Sequence, residues 1–365
     1  ALPAAIQLRH AAEVEAARAA YNALSTAEQA EVSNYDRLLA AERTLNSLRL
    51  LNNKPSRTVS NRDQFLAALR DSNVGTIIVN GEIQIEKRTP VWNRVKYYQN
   101  LNHDKIIRGN GKLTYLELRV QSGVTLILDD AITIDGSRKM GSLYKAINPV
   151  VLYGNARLIM NGNSSLRTEY GTGFEGYAIK ATGNGAYIEI NTGGTIWAAE
   201  YTIRSGANST VVINSGKLGN KNRKQSILSD GHVKITGGVI PNVEAETVTM
   251  TGGTINNESA RDGKRTPLRI RKNGYITGGT IVAYDGKAVN LATGDARLHI
   301  APSRPGAIKI GDQRPYVGSI ETDNYKNVSV GYTPIGVNEV VTNGIYRTDR
   351  EAATAEALAA LNGTR

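Results

Sequence analysis

Cysteine is absent from this chain of 365 residues, which excludes disulfides, cysteine catalysis and cysteine-ligated zinc. Large aromatic residues are also scarce, with 2 Phe and 2 Trp beside 37 Gly. A compact globular core normally uses more of these rings. Stacked β-coils instead use Val, Ile and Leu inside and Gly or Asn at their corners. The composition therefore favours an elongated protein built from repeated coils.

Long apolar runs are missing as well. No stretch of about 18 apolar residues occurs, so we expect no transmembrane helix. The first residues carry no signal segment, and the chain starts at Ala1 rather than at Met. We therefore expect it to be part of a larger surface polypeptide.

Acidic residues are too few to balance the basic ones, and the formal net charge is +11. Residues 1–48 carry four Arg and six acids, so the excess of positive charge belongs entirely to the remainder of the chain. Basic surfaces attract anionic partners, and we expect a polysaccharide or an anionic cell-wall polymer rather than nucleic acid. A solvated surface that keeps a long protein soluble explains the same charge equally well.

A glycine-rich tetrapeptide recurs through the middle of the chain. Four copies of Gly-Gly-(Thr/Val)-Ile and one degenerate copy place their second residues at intervals of 22, 22, 15 and 26 residues. A short strand after a glycine turn, recurring in this way, is typical of stacked coils. The interval of 15 is short for a coil, so either one turn is trimmed or that copy belongs to another face. The copies are Gly193–Ile196, Ser215–Leu218, Gly237–Ile240, Gly252–Ile255 and Gly278–Ile281.

Short segments with period-two alternation of apolar and polar residues predict strands and assign their two sides. The predicted fold is mainly β, a right-handed parallel β-helix (a solenoid) with a small N-terminal α-helical domain. The side chains expected to stack inside are Leu126, Leu128, Leu158, Ile188, Ile190, Val233, Ile235, Leu298 and Ile300. Those expected to face solvent are Glu117, Arg119, Tyr187, Glu189, Lys234, Arg269, Arg297, His299 and Lys309.

The chain divides into four predicted parts. Residues 1–51 have helical periodicity, with a capping box from Ser25 to Glu28 and a possible helix cap at Asn34, and form a spacer or attachment module. Residues 52–60 are predicted to be a linker. Residues 61–348 form the β-helix and begin with a short amphipathic helix that covers its open end. Residues 349–365 are Ala-rich and predict a helical cap or the start of a further spacer.

Several stretches resemble known families. Val14-Glu15-Ala16-Ala17-Arg18-Ala19-Ala20-Tyr21 together with Val32-Ser33-Asn34-Tyr35-Asp36 is similar to a small three-helix repeat of Gram-positive surface proteins. The segment from Asn61 onward resembles the start of pectate-lyase-like β-helices. Leu128-Asp129-Asp130-Ala131-Ile132-Thr133-Ile134-Asp135-Gly136 resembles corner sequences of noncatalytic bacterial β-helix adhesins. These resemblances imply an extracellular setting, either secreted or on the cell surface, and a relation to adhesins or surface-layer-associated proteins.

The weak candidates for catalysis are Asp129, Asp130 and Asp135. Paired carboxylates could serve as acid and base of a glycosidase, or they could hold calcium. Asp is also favoured in turns between strands for backbone reasons, and this interpretation is the stronger one. The four His residues have no metal-ligand spacing, so we predict no metal site and no cofactor other than an unsupported calcium ion.

Basic loops and outward aromatic rings are the candidate binding groups. Lysine and arginine could hold an anionic polymer, and aromatic rings could stack on the apolar faces of pyranoses. Runs of charge are more often merely solvated. The candidates are Lys221, Arg223, Lys224, Lys234, Arg261, Lys264, Arg265, Arg269, Arg271, Lys272, Trp197 and Tyr201.

Three functions fit this sequence. The leading one is a surface binding protein, an adhesin or surface-layer-associated protein that presents an elongated basic surface to a polysaccharide. The second is a polysaccharide lyase or glycoside hydrolase on the same scaffold, which fold alone does not distinguish. The third is a structural spacer or lattice subunit.

Overall fold

The computed structural model describes most of the chain up to residue 312. The described residues are 2–3, 6–32, 35–86, 98–140, 143–169, 176–221, 226–256, 266–283, 288–301 and 308–312, with the short stretches 320–321, 328–330, 340–342 and 345–347. The predicted C-terminal helix at 349–365 lies outside them.

The N-terminal module is helical. A 3-10 helix (Leu8–His10) leads into α1 (Ala11–Asn22), α2 (Thr26–Glu31) and α3 (Tyr35–Asn52). The predicted capping box is confirmed, because the Ser25 side chain accepts from the backbone N–H of Glu28 while the Glu28 carboxylate accepts from the backbone N–H of Ser25. The predicted cap at Asn34 lies outside the described residues. The module has its own small core, formed by Ile6, Val14, Leu38, Ala41 and Leu45.

The rest of the described chain is almost entirely β, apart from α4 (Arg62–Arg70). The first strands are β1 (Ser56–Val59), β2 (Thr76–Val79), β3 (Glu82–Gln84), β4 (Tyr98–Leu101), β5 (Lys105–Arg108), β6 (Lys112–Thr114), β7 (Glu117–Val120), β8 (Thr125–Leu128), β9 (Thr133–Asp135), β10 (Ser137–Met140), β11 (Leu143–Ala146), β12 (Val150–Tyr153), β13 (Arg157–Met160), β14 (Ser165–Arg167) and β15 (Ile179–Thr182). They continue with β16 (Tyr187–Ile190), β17 (Thr195–Ala198), β18 (Ile203–Ser205), β19 (Thr210–Ile213), β20 (Lys217–Asn220), β21 (Ile227–Ile235), β22 (Val239–Ile240), β23 (Val243–Asn256), β24 (Leu268–Ala283), β25 (Val289–Leu291), β26 (Arg297–Ile300), β27 (Ile308–Asp312), β28 (Ile320–Glu321), β29 (Val328–Val330), β30 (Val340–Thr342) and β31 (Ile345–Arg347).

These strands wind into a parallel β-helix with three sheets, as predicted. Sheet I contains β2, β5, β8, β13, β16 and β19, and it continues through parts of β21, β23 and β24 to β26 and β29. Sheet II contains β4, β7, β12, β15 and β18 and continues through the first parts of the same long strands to β25. Sheet III contains β3, β6, β9, β14, β17, β20 and β22 and continues through the last parts of β23 and β24 to β27.

The core of the β-helix is a set of apolar ladders. Each inward side chain lies in register with one in the next coil, about 4.8 Å away. The Ile of the tetrapeptide repeat forms one ladder in sheet III, where Ile196, Leu218, Ile240, Ile255 and Ile281 are all buried. The nine side chains predicted to stack inside are buried too, so the inward half of the alternation is confirmed.

Glycine pairs form the corners that precede sheet III. The second glycine adopts a positive φ at Gly216, Gly238, Gly253 and Gly279, a conformation in which a side chain is strained. At Gly253 a Cβ atom would also lie 2.6 Å from the carbonyl oxygen of Gly237 in the preceding coil. Both backbone conformation and close stacking therefore require glycine there.

The interval of 15 residues is a trimmed coil on the same face. Val239 pairs with Thr254 and Ile240 with Ile255, so the two glycine pairs are in register. The coil is short because β23 runs as one strand across all three sheets, with register shifts at the corners in place of loops. The strand β21 similarly runs as one strand, Ile227–Ile235, from sheet II into sheet I.

The helix α4 packs against β1 and β2 at the N-terminal end of the β-helix. Asn61 caps this helix by accepting from the backbone N–H of Gln64 at 3.0 Å, and Phe65, Leu66 and Leu69 are buried. The ammonium group of Lys105 donates to the carbonyl oxygens of Asp71 and Val74 just beyond the helix. The segment predicted as a linker contributes the first strand, because β1 pairs with β2 in parallel.

The helical module lies against the outer side of sheet I. Outward Ile127 and Ile159 are buried there beneath Leu51 of α3, with Leu48 and Ile106 beside them. Arg157 of β13 donates to the Thr44 hydroxyl of α3 at 3.3 Å. On this part of sheet I, the side chains that point away from the core of the β-helix are therefore covered by the helical module.

We predict that Gly253→Ala lowers the free energy of unfolding by about 1–3 kcal/mol, because the new Cβ is strained at φ 80° and crowds Gly237. Urea unfolding followed by circular dichroism measures this loss. Gly294→Ala is the control, since no atom lies within 4 Å of its added Cβ, and its effect should stay within about 0.5 kcal/mol. Equal losses in the two variants would contradict the corner assignment.

We predict that Leu51→Ala costs about 2–4 kcal/mol, because it leaves a cavity above Ile127 and Ile159. The neighbouring Leu50 is 63% exposed, and Leu50→Ala should change stability by less than about 0.5 kcal/mol. Thermal unfolding monitored by the helical circular dichroism signal compares the two. A module that does not rest on sheet I would respond alike to both substitutions.

Candidate functional site

A shallow groove runs across the outer side of sheet III and contains two of the predicted binding residues. Trp197 of β17 and Lys221, just after β20, both line it, together with Arg167 of β14. Its volume is about 710 Å³. The remaining described lining residues are Thr133, Ser165, Leu166, Glu169 and Thr195. We call this recess the Trp197 groove.

The indole of Trp197 lies against a neighbouring glycine. Trp197 is in register with Gly219 of β20, and a Cβ atom at Gly219 would lie 2.6 Å from Cζ3 of the ring. Any side chain at Gly219 would therefore displace the ring. The Trp197 side chain is partly exposed to solvent.

Charged side chains lie beside this ring. Arg167 is in register with Trp197 and forms an ion pair with Glu169. Lys221 is exposed, and its backbone N–H donates to the carbonyl oxygen of Ala198 at 2.9 Å, which holds the residue at the end of β17. An aromatic ring flanked by cations is suited to a sugar that carries negative charge.

Tyr201 lies elsewhere, in the turn between β17 and β18. Its ring stacks on Tyr177 with a centroid separation of 5.7 Å, and the Nζ of Lys180 lies 5.4 Å from the centre of the Tyr177 ring. The structure thus places Tyr201 in an aromatic pair at a corner rather than beside Trp197.

The predicted binding residues Arg269, Arg271 and Lys272 form ion pairs with acids from neighbouring coils. Arg269 is in register with Glu244 and lies 3.3 Å from its carboxylate, and Lys272 contacts Glu246. Asp230 receives both Arg271 and Arg204, each at 2.7 Å. Burial acts to raise the pKa of Asp230, but the hydrogen bonds from the two guanidinium groups lower it. The remaining predicted binding residues Arg223, Lys224, Arg261, Lys264 and Arg265 lie outside the described residues.

The three candidate catalytic carboxylates have separate structural roles. Asp130 occupies a corner with φ 55°, and its side chain accepts from the backbone N–H of Gly109 at 3.2 Å. Asp135 ends β9, where it accepts from the N–H of Ser137 at 2.8 Å and pairs with Lys112 at 3.1 Å. Burial raises the pKa of Asp129. These contacts support the turn interpretation for Asp130 and Asp135.

A second recess lies between α3 and the outer side of sheet I. We call it the interface crevice, and its volume is about 360 Å³. Lys234, one of the predicted binding residues, lines it from β21, and Arg157, Tyr187 and Glu189 line it from β13 and β16. The other described lining residues are Pro3, Ile6, Arg37, Leu39, Ala40, Ala41, Arg43, Thr210, Val212, Asn214, His232 and Thr249.

Glu189 is a buried carboxyl group at the wall of this crevice. The alternation predicted that it faces solvent, but the residue is only 6% exposed because the helical module covers this part of sheet I. Its oxygens accept from the Tyr187 hydroxyl at 2.8 Å and the Asn191 amide at 3.0 Å. Burial raises the pKa of Glu189, with the two hydrogen bonds and the charges of Arg157 and Arg37 opposing the effect.

Arg157 lies beside Tyr187 and Glu189. Its guanidinium carbon lies 4.8 Å from the centre of the Tyr187 ring, and burial lowers the pKa of Arg157. Sequence reasoning did not single out Arg157 or Glu189 as site residues. The sequence did contain a signal that this side of sheet I is covered. An outward column of apolar residues requires a second layer above it, and this column consists of Ile106, Ile127 and Ile159.

Among the described residues, no three His, Asp or Glu side chains lie close enough together to share a metal ion. No helix in the same part of the chain has the length and apolar character needed to cross a membrane.

The scaffold is a parallel β-helix with an aromatic groove on sheet III and a layer of helices on the outer side of sheet I. The chain belongs to the family of pectate lyase-like adhesive domains, whose model matches residues 56–260, more than half of the chain. Searches among curated proteins and among solved structures found no match. The family assignment indicates an adhesin-like role. This agrees with the general part of the leading hypothesis, a binding protein, and leaves the ligand unidentified.

We predict that Glu189→Gln flattens the dependence of stability on pH. Since burial raises the pKa of Glu189 above the ordinary 4.5, the folded chain retains a proton that the unfolded chain loses, and stability falls as pH rises through this window. Glutamine does not ionise, so the variant should gain stability over the wild type as pH rises.

Thermal melts between about pH 4 and pH 8 test this. Glu82→Gln, at an exposed position of β3, is the control and should follow the wild-type profile. Parallel profiles for Glu189→Gln and the wild type would show that Glu189 is solvated.

Proposed function

We propose that the chain is an extracellular or cell-surface binding protein that holds a polysaccharide or an anionic cell-wall polymer in the Trp197 groove. The observation that carries the proposal is the partly exposed indole against Gly219, which lines one groove with Arg167 and Lys221. A flat apolar ring suits the face of a pyranose, and the cations suit carboxylate or phosphate groups on it.

The architecture supports a polymeric ligand over a small one. Neighbouring coils repeat about every 4.8 Å, so outward groups form long straight rows. The groove is shallow and crosses β9, β14, β17 and β20, four successive coils of sheet III. A chain of sugars could lie along such a row without bending. The adhesive family assignment is consistent with binding of this kind.

We predict that Trp197→Ala weakens binding of an oligogalacturonate or a glycerol-phosphate polymer by about tenfold or more, as expected for a central aromatic anchor. Tyr275→Ala removes an exposed ring from sheet I and should leave binding unchanged. Lys221→Gln should weaken binding and reduce its sensitivity to salt, whereas Arg297→Gln on sheet I should do neither.

Biolayer interferometry on immobilised polymers, with neutral polymers alongside, measures all four variants. Equal binding by Trp197→Ala and the wild type would contradict the assignment of the groove. The same incubations are assayed for unsaturated uronates and new reducing ends, because product formation would place the chain among lyases or hydrolases. Self-association without polymer binding would favour the spacer hypothesis.

A further inference from the structure

The interface crevice has the dimensions of a small-molecule site. Its volume of about 360 Å³ lies within the range of about 300–1,000 Å³ that is usual for such sites. One wall is the outer side of sheet I and the other is α3 with Pro3 and Ile6. Part of the site therefore comes from residues outside the family match at 56–260.

Its charge is strongly positive. Four basic residues, Arg37, Arg43, Arg157 and Lys234, stand against one carboxyl group, Glu189, among the described lining residues. Hydroxyl and amide groups of Thr210, Asn214 and Thr249 supply neutral polar contacts, while Ile6 and Val212 supply apolar ones. Cations together with neutral hydrogen-bonding groups and small apolar surfaces match an acidic sugar.

The charged groups of this recess come from both walls. Arg157 and Tyr187 face Glu189 from β13 and β16, Arg37 faces it from α3, and Lys234 and His232 line the same recess from β21. Burial raises the pKa of Glu189, so this carboxyl group takes up a proton at higher pH than an exposed glutamate does, and its protonated form does not repel an anion. The His232 ring lies 3.0 Å from the Thr249 hydroxyl in the same recess.

We propose that the interface crevice binds one anionic saccharide unit, carboxylated or phosphorylated, independently of the Trp197 groove. The helical module is then a structural part of a binding site rather than a spacer alone. This site lies on sheet I, whereas the groove lies on sheet III, so the two are separable by substitution.

Isothermal titration calorimetry on the full chain tests the proposal with galacturonate, glucose 6-phosphate and neutral galactose. The wild type should bind one or both anionic sugars and should not bind galactose. A preference for galacturonate identifies a carboxylated ligand, and a preference for glucose 6-phosphate identifies a phosphorylated one. Absence of binding by both, or equal binding of galactose, would overturn the proposal.

Substitutions locate the site. Lys234→Gln and Arg43→Gln should each weaken binding of the preferred sugar by about five- to tenfold, the value of one charge-assisted contact. Lys180→Gln on sheet II removes the same charge as Lys234→Gln and should have no effect. Melting midpoints of the variants show that each is folded. Unchanged affinity in Lys234→Gln and Arg43→Gln would contradict the proposal.

Two further measurements separate this site from the proposed polymer site. Trp197→Ala should bind the small sugar as the wild type does, even where it has lost polymer binding. Affinity should fall as pH rises, because deprotonation places a negative charge on Glu189, and Glu189→Gln should weaken this dependence. A small sugar that is lost with Trp197→Ala belongs to the groove, and that result would overturn the proposal while leaving the polymer site intact.

Discussion

The structure depends on one constraint, the in-register stacking of each coil on the next. Because strands of successive coils lie about 4.8 Å apart, every inward side chain must fit the one above it, and every outward side chain acquires fixed neighbours from other coils. This constraint accounts for the corner glycines Gly216, Gly238, Gly253 and Gly279, which adopt positive φ and where an added Cβ would meet a carbonyl oxygen of the preceding coil. It also decides which charges meet, since Arg269 and Glu244 are adjacent through register although they are far apart in the chain.

The parts of the fold that depend on local pattern were predictable. Period-two alternation and glycine corners indicated the inward ladders and the parallel β-helix, and a short amphipathic segment indicated α4. The charge of the outer surface was harder to predict. Lys272, Arg271 and Arg269 look unopposed in the sequence, and their acidic partners become neighbours only when the coil lengths are known. The same reasoning missed the crevice, because Glu189 is buried by a module more than one hundred residues earlier in the chain.

The two candidate sites differ in what builds them. The Trp197 groove is made entirely by residues within the family match, from strands of one sheet and the residues just after them. The interface crevice needs both the β-helix and the helical module, because Arg37 and Arg43 come from α3 and Tyr187 and Glu189 from β16. A relative that has the same β-helix without this module would retain the groove and lack the crevice. The β-helix alone thus forms the Trp197 groove, and the added helical module creates the interface crevice.

The position of α3 has a mechanical consequence. Force applied along the axis of a β-helix acts directly on the hydrogen bonds between coils. The coils would therefore separate one after another. Leu51 rests on Ile127 and Ile159 of two adjoining coils, and Thr44 accepts from Arg157 in the second of them. The helix α3 therefore connects these two coils, and tension must displace it before the coils can separate.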